Sequence, residues 1–464
     1  MDTISHRYGL QNSGPKYRAV SEAIRAAISA GDLGQGDKLP PVRDLAWQLK
    51  ITPGTVARAY TILTDEGILQ AEVGRGTFVA GPTRPITQLK WPTKYAAEDT
   101  DQVSLFSPRL PDVGQVSLLR DAFARLSDRP PEDLLNYPTA RAFAPARQAV
   151  IRWLEGTVLG PVSNEDIVLS HGGQSAISLV MQAVLKGQRP VVLVEELSYP
   201  GFRRAAELLR ADVVSVPMDD QGIVPESLEN IARRYDAQLL CTSPEVHNPT
   251  GLHTPARRRE RIAEVARRIG FHILEDDCYR LGRAKAPSYR ALLPEQGWHV
   301  SSFSKCLTPS LRVGFAVAPE RHRANLRRAA EHGFFGLACP LAHVTQDILT
   351  RDETFALMEK VRLVFGDYVR VAVNALGGYD LNWHEDIPYL WLRLPDGWRA
   401  STFVQAAEAQ GVQLRNADEF ALRNGSAPHA VRLAINAHVS LGSFEAAMQR
   451  LRDLLDNPPE RIAV

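Results

Sequence analysis

Ser301-Ser302-Phe303-Ser304-Lys305 ends in a lysine, and Arg312 follows seven residues later in a stretch punctuated by Pro309 and Gly314. An amine that condenses with an aldehyde, hydroxyls just upstream that donate to phosphate oxygens, and a guanidinium that grips a phosphate are what a pyridoxal phosphate site needs. A lysine among serines is also an ordinary solvated surface lysine. The string therefore takes its meaning from the segments around it.

Outward from that string, from about residue 103 on, long helical stretches alternate with short β-rich runs: Asp166 to Leu169, Val191 to Val194, Val213 to Val216, Gln238 to Cys241, His272 to Leu274 and Gly314 to Ala318. Short runs separated by helices imply a mostly parallel α/β sheet with its ligand at the carboxyl ends of the strands. The chemically distinctive residues fall at those ends. Ser170-His171-Gly172-Gly173-Gln174-Ser175 opens a helix after one run, where glycines let backbone amides approach an anion at the positive end of the helix dipole, or simply make a turn. Tyr199 follows the next run and either stacks on a flat heterocycle or packs as an ordinary core or surface aromatic. Asn248, in His247-Asn248-Pro249-Thr250-Gly251, sets a side-chain amide at a third strand end. Glu275-Asp276-Asp277 follows a fourth. A metal cluster there lacks a histidine or further acid at matching spacing, so no metal is expected. A carboxylate opposite a pyridine nitrogen, keeping the ring protonated as an electron sink, accounts for it better.

The first eighty residues have another pattern. Tyr17, Val20, Ile24 and Ile28 repeat at helical spacing before Gly31, and a second helix after Leu39-Pro40-Pro41 sets Val42, Leu45, Ala46 and Leu49 on one face. A third, from Thr52 as N-cap, turns Val56, Ala59, Tyr60 and Leu63 inward and stops at Gly67. Ile68 to Val73 and Thr77 to Ala80 are strand-like runs joined by Gly74-Arg75-Gly76. Three helices and a hairpin make a winged helix-turn-helix, which serves DNA binding or is a small protein-binding or structural domain.

Tyr17 to Val79 resembles the DNA-binding domain of GntR-type regulators, through Leu39-Pro40-Pro41-Val42-Arg43-Asp44-Leu45-Ala46, Thr55-Val56-Ala57-Arg58-Ala59-Tyr60 and the wing Gly74 to Val79. The resemblance implies that Arg43 contacts DNA, that the helix from Thr52, with Thr55 and Arg58, enters the major groove, and that Arg75 reaches backbone or minor groove. Pro53 and Ala57 stand where many relatives have arginine. Residues 1 to 81 hold nine Lys or Arg against eight Asp or Glu. One copy is therefore expected to bind DNA weakly, and two copies on adjacent half-sites to supply the affinity.

The later segments resemble fold-type I aminotransferases, and with the N-terminal domain the chain resembles the MocR subfamily of GntR regulators. That resemblance makes Lys305 the Schiff-base lysine, Asp276 the partner of the pyridine nitrogen, Asn248 and Tyr279 donors to the ring hydroxyl, and Tyr199 the stacking ring. Gly173, Gln174, Ser302 and Arg312 are implied to hold the phosphate, with Tyr137 reaching the phosphate of a partner subunit. Arg432, in Val431-Arg432-Leu433-Ala434-Ile435, matches the arginine that clamps a substrate carboxylate, a bidentate task unsuited to lysine. Ala142 and Ala146 depart from the glycine and leucine common in relatives, and no second arginine stands out for a distal carboxylate.

Composition sets the outer limits. With 464 residues, 44% hydrophobic and 23% charged, the chain has the make-up of a globular protein of two or three domains. Its 54 basic and 53 acidic residues leave a net charge of +1, so no global field drives it onto nucleic acid or membrane. Cys241, Cys278, Cys306 and Cys339 form no CxxC pair, and no apolar run approaches the roughly 18 residues of a membrane span. The expectation is a cytoplasmic homodimer with a winged helix-turn-helix at 14–81, a linker at 82–102 and an aminotransferase-like α/β domain at 103–464, whose large subdomain spans about 150–335. It would regulate transcription on double-stranded DNA and sense a small amino compound, or the cofactor itself, through imine exchange at Lys305. The other reading is an active aminotransferase with an appended DNA-binding module.

Overall fold

The computed structural model describes residues 2–9, 16–65, 68–72, 76–79, 102–128, 135, 137–139, 141–423 and 425–458. The chain divides into two compact units, Met1–Ala97 and Glu98–Val464.

In the first unit, helix Lys16–Ser29 buries Val20, Ala23, Ile24 and Ala27, the i, i+3, i+4, i+7 stripe of an amphipathic helix. Helix Val42–Gln48 adds Leu45 and Ala46. Helix Pro53–Asp65 starts with proline, whose missing amide costs nothing in a first turn, and buries Val56, Ala59, Tyr60 and Leu63. The Tyr60 hydroxyl donates to Pro40 O at 2.8 Å, which ties this helix to the chain entering the one before it. Leu69–Glu72 and Gly76–Val79 pair antiparallel, with Leu69 opposite Val79. Val73, Gly74, Arg75 and Ala80 of the expected wing, and Gly67, lie outside the described residues. Ahead of the expected boundary at residue 14 stands one more helix, Asp2–Gly9. Its Ile4 is buried in the same core, and its Arg7 pairs with Asp32 at 2.5 Å.

The second unit is built on a seven-stranded sheet in the spatial order Ile167–Ser170, Gly314–Val317, Gly297–Ser302, His272–Asp276, Leu239–Thr242, Val191–Glu195 and Asp212–Val216. Every neighbouring pair is parallel except the two made by Gly314–Val317, which runs against both its neighbours. The central strands are buried along almost their whole length because helices cover both faces. The strand Gly297–Ser302 was absent from the runs read in the sequence. It interposes His299, fully buried, with Nδ1 3.9 Å from Glu275 and Nε2 3.7 Å from Asp277 but no hydrogen bond at either nitrogen, and burial pushes that imidazole down to about 3. A smaller antiparallel sheet, in the order Leu381–Asn382, Tyr389–Arg393, Ala430–Ala434, Arg415–Asn416, packs on helices Asp352–Leu376 and Leu441–Asp456 around Phe365, Phe403, Phe444 and Met448. Val103–Ser104 pairs with Val412–Gln413 and so joins that smaller layer.

Candidate functional site

Lys305 ends the one-turn 3-10 helix that follows the strand Gly297–Ser302. Its Nζ donates to Ser107 Oγ at 3.0 Å and lies 5.3 Å from the centroid of the Tyr279 ring. Tyr279 comes from the turn after His272–Asp276, and its ring meets Tyr389 edge-on at 5.2 Å. Burial alone would push the Tyr279 phenol up, but the positive charges of Lys305, Arg432 and Arg415 outweigh it and leave the phenol below its ordinary value.

Asp276 is the last residue of its strand, buried, with Oδ1 accepting the Cys278 amide at 3.0 Å. Burial pushes its carboxyl up to about 6, against the pull of the Cys278 thiol and amide, with Asp277 and Glu195 adding to the rise. Among the described residues it has no cationic partner. A buried carboxylate of this kind fits a cationic nitrogen on a bound ring.

Asn248 sits in a tightly held loop. The His247 amide donates to Leu252 O at 2.9 Å, its carbonyl accepts from Tyr389 Oη at 2.9 Å, and its ring contacts Thr250 Oγ1 and Leu197 O at 2.6 and 2.9 Å. Asn248 Oδ1 accepts from Arg432 Nη1 at 2.5 Å, which leaves the Nδ2 amide as the donor for a ligand oxygen. Arg432, in the strand Ala430–Ala434, gives Nη2 to Phe106 O at 2.7 Å and keeps a buried Nε without a partner. Its guanidinium also stands 5.3 and 5.0 Å from the Tyr389 and Phe420 rings.

The phosphate side is made of small residues. Gly172, with φ +78°, begins helix Gly172–Val184, and a Cβ there would come within 2.8 Å of Arg312 Nη2. A Cβ on Gly173 would meet Cys278 Sγ at 2.6 Å, with Ser302 Oγ at 3.9 Å. Arg312 itself has φ +51°. The cradle thus joins a helix N-terminus, a guanidinium and a hydroxyl, a donor set suited to a phosphate dianion. Gln174 lies beside it, with Nε2 donating to Gly201 O at 2.9 Å. Tyr199 precedes the helix Pro200–Leu208, and burial pushes its phenol up, with Tyr279 and Asp276 next in influence. These residues suit pyridoxal phosphate: an amine for the aldehyde, a cradle for the phosphate and an acid for the ring nitrogen.

Lys305 thus meets Tyr279 and Asn248 meets Arg432, with Tyr389 touching both Tyr279 and Arg432, Asp276 and Tyr199 beside them and Gly173, Ser302 and Arg312 in the cradle. Tyr137 is not tied to them. It is 85% exposed and stands 6.0 Å from the Phe335 ring. Among the participants that escape the sequence are Phe106, Ser107, Cys278, Tyr389 and Arg415. The last is the cross-strand partner of Arg432, and its Nε donates to Phe106 O at 2.8 Å. No group of three or more metal-ligating side chains occurs among the described residues, and no described helix is long and apolar enough to cross a membrane.

In the first unit Arg43 is exposed on helix Val42–Gln48, beside a Trp47 that is 84% exposed. Thr52 Oγ1 and Thr55 Oγ1 share a hydrogen bond of 2.9 Å at the start of the next helix, and the Arg58 guanidinium lies 4.2 Å over the Tyr17 ring. Arg75 lies outside the described residues.

Residues 109–451 match the family described as aminotransferase class I and II, and residues 16–79 match the bacterial regulatory proteins of the gntR family. The chain is 27% identical over 448 residues to an uncharacterized HTH-type transcriptional regulator of Bacillus subtilis, YdeF, covering 96% of this chain and 95% of the relative. It is 29% identical over 427 residues to the vitamin B6 salvage pathway transcriptional repressor PtsJ of Salmonella typhimurium, covering 90% and 93%. Among solved structures it is similar to LysN, the α-aminoadipate aminotransferase of Thermus thermophilus complexed with a phosphopyridoxyl-leucine. That similarity has a TM-score of 0.67 and 25% identity, over 77% of this chain and 92% of the other.

Proposed function

The chain belongs to the aminotransferase class I and II family and carries a gntR-family regulatory domain ahead of it. From that premise we propose that it is a cytoplasmic transcriptional regulator that binds DNA as a homodimer, holds pyridoxal phosphate at Lys305 and responds to an amino compound. The observation that carries this reading is the convergence of Lys305, Tyr279, Asn248 and Arg432, drawn from four separate stretches of chain, onto one buried site. Arg43 and Arg58, both exposed, and the half-buried Thr55 belong to the other unit.

Bound pyridoxal phosphate supplies an aldehyde that exchanges amines and a pyridinium ring that accepts electron density. The chain's residues do the rest. Asp276 holds the ring nitrogen's proton, Asn248 Nδ2 and the Tyr279 phenol donate to the ring oxygen, and Tyr199 covers a face. Gly173, Gln174, Ser302 and Arg312 hold the phosphate. Tyr137 reaches the phosphate of the second copy. Arg432 takes a ligand carboxylate through the edge now given to Phe106 O.

That last exchange connects the site to the rest of the chain. Arg432 and Lys305 both hold Phe106-Ser107, which follow the strand Val103–Ser104 with Leu105 between. A ligand that competes for both donors releases a segment that continues, in sequence, toward the DNA-binding unit. Regulation follows if the ligand favours one arrangement of the paired DNA-binding domains over another.

The test is a visible absorbance spectrum of the purified protein and of Lys305→Ala, taken with DNA binding to its own promoter region in the presence of amino acids and amines. A cofactor band that needs Lys305, and that moves with one compound as DNA binding changes, supports the regulator. A band indifferent to Lys305 overturns the site. Recycling by a keto acid with DNA binding unaffected favours the working aminotransferase.

A further inference from the structure

We infer that Arg415 sets the specificity of this site, and that the amino compound it selects is a dicarboxylate, with its α-carboxylate on Arg432 and its second carboxylate on Arg415. The inference rests on the ligand-sensing reading above and names the class of ligand.

Arg415 and Arg432 are direct partners across the antiparallel strands Arg415–Asn416 and Ala430–Ala434, so their side chains leave the same face of the small sheet. Both guanidiniums donate to one acceptor, Phe106 O, at 2.8 and 2.7 Å. Like charges directly opposite each other destabilise a sheet. A carbonyl is a dipole and does not neutralise two cations. Arg432 has no carboxylate partner among the described residues and keeps an orphaned buried Nε. Arg415 has one, Glu419, on its outer edge, and the side chains of that pair are 25% and 41% exposed. The cluster is two guanidiniums against one half-exposed carboxylate, with the Lys305 amine held by the residue next to Phe106. An α-carboxylate needs Arg432 alone. A second guanidinium at its side, with an edge already satisfied by a carboxylate, is matched by a second acid on the ligand.

A purely structural alternative exists on the same contacts: Arg415 as a strut between Phe106 and Glu419. The two predict different things. With the cofactor-loaded full-length protein, spectral titrations compare L-aspartate, L-glutamate and L-2-aminoadipate with L-alanine and L-leucine. Calorimetry compares glutarate with butyrate, which lack an amine and report binding with no reaction at Lys305. The wild type should prefer the best dicarboxylate by about tenfold or more, the ratio that one additional charge-assisted hydrogen-bonded pair supports. In Arg415→Met that preference should fall to near one. In Glu419→Gln, which frees the guanidinium edge, it should rise. A wild type without the preference overturns the inference, and so does an Arg415→Met protein that weakens both classes in proportion, as loss of a strut would. If no amino compound moves the spectrum, the sensing reading fails separately, while the glutarate preference and its dependence on Arg415 still decide whether this residue selects dicarboxylates.

Discussion

Replacing Asp276 with asparagine should stabilise the cofactor-free protein while weakening its hold on the cofactor. The wild-type carboxyl is buried, accepts the Cys278 amide at 3.0 Å beside the Cys278 thiol, and is pushed by burial from the ordinary 3.8 up to about 6. Native Asp276 therefore keeps its proton more firmly than the unfolded chain does. Its contribution to stability is complete below about pH 4 and is lost as pH rises through about 6. A shift of about two units corresponds to roughly 3 kcal/mol working against the fold at pH 7. Asparagine keeps the Oδ1 acceptor and the shape but carries no charge. The variant should match the wild type near pH 4 and exceed it by up to about 3 kcal/mol at pH 7, read from urea unfolding followed by tryptophan fluorescence. With cofactor the order reverses, because a cationic ring nitrogen compensates the wild-type carboxylate and leaves the amide with nothing to offset. Equal stability of the two cofactor-free proteins at pH 7, or a difference of the same size at both pH values, would refute the reasoning.

Three other perturbations follow from geometry already described. Gly172→Ala places a Cβ at a φ of +78° and within 2.8 Å of Arg312 Nη2, so cofactor affinity should fall about tenfold or more by fluorescence titration, the strain being on the order of 1–3 kcal/mol. Arg259 is fully buried, gives four hydrogen bonds to Thr254 O, Pro287 O, Pro244 O and Glu245, and lies beneath the loop that carries Asn248. Arg259→Met takes the guanidinium from the buried Glu245, which keeps only the Lys285 amide and the nearby His253, and should cost about 3–5 kcal/mol in denaturant unfolding. Arg58→Met, on the exposed face of helix Pro53–Asp65, should weaken DNA binding to a similar extent across sequences and lower the salt slope by about one per copy, measured by fluorescence anisotropy at several salt concentrations.

Asp276, Asn248 and Gly173 are legible in the sequence for a physical reason, whereas Lys305 stands out only through its neighbouring serines and Arg312. In a sheet with parallel strands each ligand-facing residue sits just past an apolar run, so the end of the run and the oddity of the next few residues mark the position without any knowledge of strand order. Arg432 is legible in a weaker sense, since one arginine inside an apolar string must find buried acceptors. The strand Gly297–Ser302 is harder to see although it leads to the lysine: His299, Ser301 and Ser302 break its apolar pattern, and burial, with Arg280, Arg290 and Arg259 nearby, pushes the His299 imidazole down. Ser107 and Phe106 belong to a segment whose strand is two residues long, too short to show a period of two. Arg415 is the extreme case. Seventeen positions separate it from Arg432, nothing local distinguishes it from a surface arginine paired with Glu419 four residues on, and its place opposite Arg432 is a matter of register alone. Shifting the strand by one residue would put Arg415 on the other face and Asn416 beside Arg432, so the pairing of charges at this site depends on how Arg415–Asn416 is held. The hydrogen bond that the Asp418 amide donates to Asn416 Oδ1 and the bond from Arg415 Nε to Phe106 O hold it from both sides. Sequence identifies the chemistry that anchors a cofactor, because that chemistry is local. The pairing of Arg415 with Arg432 on the shared acceptor Phe106 O is made across strands, and that is visible only in the fold.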